Sequence, residues 1–78
     1  MTPEQVSALI EAGMPDAQVI VKSDDNTHFE AQVIDAGFDG LRSLKRHQQV
    51  YATLGELMGR EIHALALQTY TPAEWQAL

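Results

Sequence analysis

The spacing of the apolar residues changes several times along this chain, and the order of these changes limits the folds that it can adopt. From Val6 to Met14 the apolar residues recur at the spacing of one helical face. Thr2 has the position of an N-cap, Pro3 suits the first helical position, and Gln5 completes a capping-box pattern. We therefore predict that the first element is a helix.

Two segments with the alternating pattern of half-buried strands follow this helix. They are AQVIVKS (17–23) and HFEAQVID (28–35), and each has apolar residues at every second position. The polar cluster SDDNT (23–27) is typical of a turn that joins two strands. We therefore predict an antiparallel hairpin, with Phe29 and Val33 on the buried face of its second strand.

The segment after the hairpin returns to a helical period, from about Leu41 to Met58. Gly55 interrupts it, so one helix and two shorter consecutive helices are both consistent with the pattern. One stripe at helical spacing is predicted to face the core. It consists of Leu44, His47, Tyr51, Leu54 and Met58.

The C-terminal part contains the patterns of a strand and a last helix. The segment IHALALQTY (62–70) has apolar residues on both parities, which predicts a strand covered on both faces or paired on both edges. Thr71 and Pro72, with Glu74, repeat the capping-box pattern. We expect Trp75 to point inward and to anchor this helix against the sheet.

The predicted order of elements is α-β-β-α(α)-β-α in a single domain of residues 1–78. The last strand follows a helical crossover, which favours an α+β fold with a mixed three-stranded sheet and the helices packed on one face. A chain this short buries only roughly 60% of its unfolded surface, so we expect no large enclosed substrate pocket. The size favours a binding or adaptor module over an enzyme.

Charge and cysteine content exclude several kinds of site. Five Lys and Arg against eleven Asp and Glu give a net charge of −6, which argues against general binding to a phosphate backbone. The absence of cysteine excludes thiolate metal sites, so any metal needs His, Asp or Glu, or ligands from a partner. No GxSxG or HExxH motif is present, and we predict that the protein is not an enzyme.

The N-terminal stretch MTPEQVSALI lacks the basic start and the long apolar core of a signal peptide. No apolar run approaches the ~20 residues that are needed to span a bilayer. We therefore expect a cytoplasmic protein.

Four short stretches resemble the signature stretches of the BolA/IbaG family. They are FDG (38–40), KRHQQVY (45–51), IHAL (62–65) and TPAEW (71–75), and the resemblance extends from the first helix over essentially the whole chain. It implies a single BolA-like domain with the fold α-β-β-α-α-β-α, which is similar to the class II KH fold. This order agrees with the one predicted from the apolar spacing.

The resemblance also implies a function in iron–sulfur chemistry. Proteins of this family pair with monothiol glutaredoxins around a shared [2Fe–2S] cluster, to which glutaredoxin and glutathione give sulfur ligands and the BolA-type protein gives a histidine from the start of its last strand. Carried over by position, that histidine is His63. A second ligand, Cys or His, is associated with the loop between the first two strands, where His28 is the only such residue. The isolated protein is expected to hold no cofactor.

Each histidine also has a purely structural interpretation. His63 opens an otherwise apolar strand and is consistent with a half-buried packing residue. His28 is consistent with a solvent-facing residue at the start of a strand, with Asp24 and Asp25 close enough to hydrogen-bond its second ring nitrogen or to offer oxygen ligands. His47 lies on the helical stripe and is predicted to pack rather than to bind metal.

Two other functions compete with iron–sulfur chemistry. Some BolA-type proteins are described as transcriptional regulators, and Arg42, Lys45 and Arg46 form a basic cluster that nucleic acid could contact. A KH domain clamps the nucleic-acid backbone with a GxxG loop between helices. We expect no such loop, because the next glycine after AGFDG (36–40) is Gly55, and nucleic acid is therefore a disfavoured partner. The remaining alternative is an interaction module without metal.

Overall fold

Six regular elements and two short 3₁₀ helices make up the computed structural model, which describes residues 1–78. The α-helices are α1 (Pro3–Gly13), α2 (Ser43–Leu54) and α3 (Pro72–Gln76), and the strands are β1 (Gln18–Lys22), β2 (His28–Ile34) and β3 (Ala64–Tyr70). The 3₁₀ helices lie at Ala36–Phe38 and Gly55–Leu57, on either side of α2. The order of elements is the predicted one. Of the two alternatives for the middle segment, one helix or two, the structure has one α-helix followed by a short 3₁₀ helix.

Both predicted capping boxes are confirmed. At α1, the Thr2 N–H donates to Gln5 Oε1 at 2.9 Å and the Gln5 N–H donates to Thr2 Oγ1 at 3.2 Å. At α3, Thr71 and Glu74 make the same reciprocal pair at 2.7 and 3.1 Å. Each box satisfies two N–H groups that the first turn of a helix otherwise leaves without partners.

The three strands form one mixed sheet in the order β1-β2-β3. β1 and β2 are antiparallel, with Val19 opposite Val33, as the polar turn between them predicted. β2 and β3 are parallel, with Phe29 opposite Leu65, because the crossover through α2 returns the chain to the same end of the sheet. The predicted sheet is therefore confirmed.

The surroundings of β3 differ from the prediction. It is an edge strand whose only neighbour is β2, and Ala64 and Ala66 are exposed on one of its faces. The expectation that this strand is covered on both faces or paired on both edges was therefore wrong. The apolar residues on the exposed parity are alanines at these positions, and exposure of so small a side chain costs little.

The core lies between the sheet and the two longer helices, α1 and α2. It consists of Val6, Ile10, Phe29, Val33, Phe38, Val50, Leu54 and Ile62. Phe38 and Ile62 belong to connections, and both are fully buried, so these connections are fixed to the core. None of the three helices is long and apolar enough to cross a membrane.

The predicted stripe of α2 faces the core only in its C-terminal part, where Leu54 is buried and Met58 packs against the core. Val50 and Leu54 are buried one turn apart, whereas Leu44 is 69% exposed and Tyr51 is 36% exposed. The prediction carried one helical period beyond the end of the helix at Leu54, where Gly55 turns the chain with a φ of 56°. The predicted stripe was therefore correct at Leu54 and Met58 and wrong at Leu44 and Tyr51.

The short helix α3 is attached to the rest of the molecule by two side chains. Trp75 is partly buried, and its ring meets Tyr70 edge-on with centroids 5.3 Å apart. Arg46 of α2 donates to both carboxylate oxygens of Glu74, at 2.6 and 3.4 Å. Trp75 thus packs on the last residue of β3 rather than inside the main core.

Candidate metal centre

The sheet brings His28 and His63 together at one of its ends. His28 is the first residue of β2 and pairs with Ala64, the first residue of β3. His63 directly precedes Ala64, so it lies beside His28 at this end of the sheet. The backbone N–H groups of His63 and Ala64 both donate to the carbonyl oxygen of Thr27, at 2.9 and 3.2 Å. These bonds fasten the head of β3 to the end of the β1–β2 turn.

The two imidazole rings are neighbours at the surface. Their centroids are 5.2 Å apart, and their planes are inclined by 80°. Both residues are exposed, so the interpretation of His63 as a half-buried packing residue was wrong. Two imidazoles that bind one tetrahedral ion through metal–nitrogen bonds of ~2.0–2.1 Å have ring centroids roughly 5 Å apart. The same separation is typical of edge-to-face ring packing, so it places the two rings close enough to share one ion but does not by itself show ligation.

One carboxylate holds both the backbone and the ring of His28. Asp25 Oδ1 accepts hydrogen bonds from the backbone N–H groups of Thr27 and His28, at 3.0 and 2.9 Å. The other oxygen, Oδ2, lies 2.7 Å from His28 Nδ1. Aspartate favours this kind of turn because its short side chain reaches backbone N–H groups two and three residues further along the chain.

Ser23 and Asn26 complete this turn. Ser23 Oγ donates to the carbonyl oxygen of His28 at 2.6 Å and accepts a hydrogen bond from the Asn26 N–H at 3.0 Å. Asn26 has a φ of 60°, in the left-handed region that asparagine tolerates better than most residues. The polar cluster is thus a structured support for His28 as well as a connection between strands.

The same hydrogen bonds stabilise the charged form of Asp25. The pKa of its carboxyl lies well below the ordinary value of 3.8, first because the backbone N–H of His28 donates to it, and then because the Thr27 N–H and the His28 ring also do. The ionised carboxylate can only accept hydrogen bonds. It therefore meets His28 Nδ1 as an acceptor.

The centre offers two imidazoles and not a complete ligand set. No group of three or more His, Cys, Asp or Glu is arranged to hold a metal ion. Asp25 is engaged with His28 Nδ1 and with the turn, which makes it a support rather than an oxygen ligand. His47 lies on α2 against Tyr51, with ring centroids 6.5 Å apart.

The basic cluster of Arg42, Lys45 and Arg46 is divided in the structure. Arg42 and Lys45 are exposed, whereas the Arg46 side chain is only 11% exposed. Arg46 Nε donates to the Leu41 carbonyl oxygen at 2.8 Å, and its guanidinium is paired with Glu74. This hydrogen bond from Arg46 lowers the pKa of the Glu74 carboxyl. Two side chains of the cluster remain free to meet a phosphate backbone.

Residues 37–40, GFDG, have the GxxG spacing, so the expectation that the chain lacks one was wrong. The structure gives this stretch an internal role. Phe38 is fully buried in the core, and Gly40 turns the chain towards α2 with a φ of 78°. The Gly37 N–H donates to Asp35 Oδ1 at 2.8 Å, and Asp39 is exposed. Two carboxylates beside the turn repel phosphate, so the spacing does not make a clamp here.

The fold defines a class of protein: an α+β domain with a mixed three-stranded sheet and an exposed pair of histidines at the end of its parallel strands. A sequence model of the BolA family, described as BolA-like protein, matches residues 4–74. The chain belongs to the BolA family.

Relatives of known sequence and structure agree with this assignment. The chain is 48% identical to BolA-like protein 1 of Homo sapiens over 50 residues, which are 64% of this chain. It is 37% identical to the DNA-binding transcriptional regulator BolA of Vibrio cholerae over 76 residues, which are 97% of this chain and 68% of that protein. A solved BolA homologue from Coxiella burnetii is 42% identical, with a TM-score of 0.87 and 97% of each chain covered. The chain spans 36% to 55% of the length of the first curated relatives that it matches.

Proposed function

We propose that this BolA-family chain binds a monothiol glutaredoxin and, through His63 and His28, ligates a [2Fe–2S] cluster that the two proteins share. The observation that supports this function best is the pair of exposed imidazoles with ring centroids 5.2 Å apart. Imidazole is a suitable ligand for iron, and two imidazoles on one iron are the arrangement of Rieske centres, which have raised reduction potentials.

The chain supplies only part of the ligand set. Clusters of this type are ordinarily held by four thiolates, or by two thiolates and two imidazoles, and this chain has no cysteine. The sulfur ligands therefore come from the partner, and we propose glutaredoxin and glutathione as their source. In this account the protein is an adaptor in cluster trafficking and performs no catalytic step of its own.

The backbone prepares both histidines for such a partner. Ile62 is fully buried directly before His63, and the His63 N–H is bonded to Thr27. His28 is fixed by Asp25 in the preceding turn. Both rings are nevertheless at the surface, so a partner reaches them without opening the core. Side chains that are positioned in advance lose less entropy when they bind.

We propose that sharing occurs by ligand exchange. In a cluster-loaded glutaredoxin homodimer, two glutaredoxin chains with glutathione provide the ligands. The imidazoles of His63 and His28 then replace the ligands of one glutaredoxin chain, and a mixed complex results. Neutral imidazole is the ligating form, so exchange is favoured when the rings are not protonated.

Visible circular dichroism tests this function directly. The protein is titrated into cluster-loaded monothiol glutaredoxin, and we expect a new visible spectrum that saturates at a fixed ratio of the two proteins. His47→Ala is a matched control, because it removes an imidazole outside the centre and is expected to give the same spectrum. A spectrum that remains that of the glutaredoxin homodimer at every ratio contradicts the proposal.

A second candidate function is DNA binding, which the name of the Vibrio cholerae relative favours. The exposed cations Arg42 and Lys45 are the groups that would contact phosphate. Titration with duplex DNA at several salt concentrations separates the two functions. An affinity whose salt slope reports several phosphate contacts supports DNA binding. With two free cations in the basic cluster and a net charge of −6 on the chain, we expect no measurable binding at ~0.15 M salt.

A further inference from the structure

The carboxylate of Asp25 is the one charged group that the structure places directly against a ring of the candidate centre. Its Oδ1 is held by two backbone N–H groups, so the carboxylate has little freedom to rotate. Its Oδ2 lies 2.7 Å from His28 Nδ1, which is a short, charge-assisted distance. Thr27 Oγ1 is also near this nitrogen, at 3.2 Å. These contacts all fall on Nδ1, and they leave Nε2 as the other ring nitrogen.

The chemistry of the pair determines which nitrogen carries the proton. A neutral imidazole has one N–H donor and one acceptor nitrogen, whereas an ionised carboxylate can only accept. Nδ1 must therefore be the donor if it is bonded to Asp25 Oδ2, and Nε2 then has the free electron pair. A metal ion binds only a nitrogen that has this pair.

We propose that Asp25 is a positioning residue that holds His28 in the Nδ1–H tautomer, so that His28 presents Nε2 as its ligating atom. This inference rests on the proposed function and specifies how His28 serves it. Carboxylates behind metal-binding histidines act in this way: they fix the tautomer and the ring orientation and raise the basicity of the ligand. The His63 ring has no carboxylate hydrogen-bonded to it, so the effect is confined to one of the two rings.

Asp25→Asn is the substitution that tests the tautomer with little change in shape. The asparagine oxygen can still accept the two backbone bonds of the turn, but its amide nitrogen is a donor and faces Nδ1. A donor opposite Nδ1 favours the tautomer in which Nδ1 is unprotonated and Nε2 carries the proton, and this proton blocks the ligating atom. Asp24→Asn is the matched control, because it removes the same charge from the neighbouring residue.

Nitrogen-15 NMR of the isolated protein reads the tautomer without any partner. At about pH 8.5, some two units above the ordinary imidazole pKa, long-range proton–nitrogen spectra distinguish the two neutral forms. We expect the Nδ1–H form at His28 in the wild type and in Asp24→Asn, and a shift to the Nε2–H form in Asp25→Asn. A wild-type His28 that is mainly Nε2–H, or an unchanged tautomer in Asp25→Asn, overturns the inference.

A second measurement links the tautomer to ligation. In the titration with cluster-loaded glutaredoxin, Asp25→Asn is expected to weaken formation of the mixed spectrum by about 10–100-fold, and Asp24→Asn is expected to leave it unchanged. An unchanged titration with Asp25→Asn overturns the positioning role even if the tautomer shifts. Failure of the wild type to give any mixed spectrum instead overturns the proposed function, so the two failures are distinguishable.

Discussion

The two histidines of the candidate centre are held by different means. The His28 ring is hydrogen-bonded to Asp25, whereas His63 is held through its backbone, by the bond to Thr27 and by the buried Ile62 before it. The His63 ring can therefore adjust to a partner within the limits of its own rotamers. We expect His28 to be the more sensitive of the two to changes in the turn.

The Asp25 turn should persist in acid. The folded-state pKa of Asp25 lies below its ordinary value of 3.8, so its stabilising contribution is complete above that value, declines as the pH falls below it, and is gone below the lower, folded-state value, where the carboxylate itself takes up a proton. We expect the NMR shift of the His28 backbone amide to show no transition near pH 4. A midpoint at the ordinary carboxyl value would mean that the hydrogen bonds from Thr27 and His28 do not hold this carboxylate in solution.

For the turn before His28, the sequence indicates which residue types are present but not which side chains bond to each other. The spacing of Asp25 and His28, three residues apart in a polar turn, is the signal that points to their hydrogen bond. Asp24 has almost the same surroundings in the sequence, but the folded turn, in which Asn26 has a φ of 60°, places Asp25 against the ring. That conformation is a property of the folded turn.

Among the elements, α2 shows where a local pattern fails. The starts of α1 and α3 were predicted correctly because a capping box acts between residues that are close in sequence, Thr2 with Gln5 and Thr71 with Glu74. The face of α2 depends instead on where the helix stops and on what it packs against. The exposed edge of β3 was missed for the same reason, because the position of a strand in a sheet is a long-range property.

A pair of leucine substitutions tests the orientation of α2. Leu54→Ala removes a core side chain and should reduce the free energy of unfolding by about 2–5 kcal/mol. Leu44→Ala makes the same chemical change on the exposed side and should alter it by no more than ~0.5 kcal/mol. Urea denaturation measures both, and equal losses would show that α2 is rotated from the orientation described.

Trp75→Ala tests the attachment of α3. Trp75 is partly buried and packs edge-on against Tyr70, so we expect a loss of about 1–3 kcal/mol, less than the 3–5 kcal/mol typical of a fully buried tryptophan. Leu78→Ala, at a residue that is 78% exposed, is the control and should have almost no effect. A denaturation midpoint that is the same for both variants would mean that Trp75 serves a partner rather than the fold.

For the whole molecule, charge and composition limit the kind of partner more than the fold does. The net charge of −6 and the pairing of Arg46 with Glu74 leave little basic surface for nucleic acid. The lack of cysteine means that a cluster at His28 and His63 needs ligands from outside the chain. The class of fold follows from local patterns and composition, but the meeting of the two histidines depends on the parallel pairing of β2 with β3.

Whether His63 is a cluster ligand is tested by His63→Ala in the titration with cluster-loaded glutaredoxin. The variant should fold normally, because the His63 ring is exposed, and it should still associate with glutaredoxin. We expect it to lose the visible circular dichroism of the mixed complex, while His28→Ala loses it in part and His47→Ala retains it. A folded His63→Ala protein that gives the full mixed spectrum would show that His63 is not a cluster ligand.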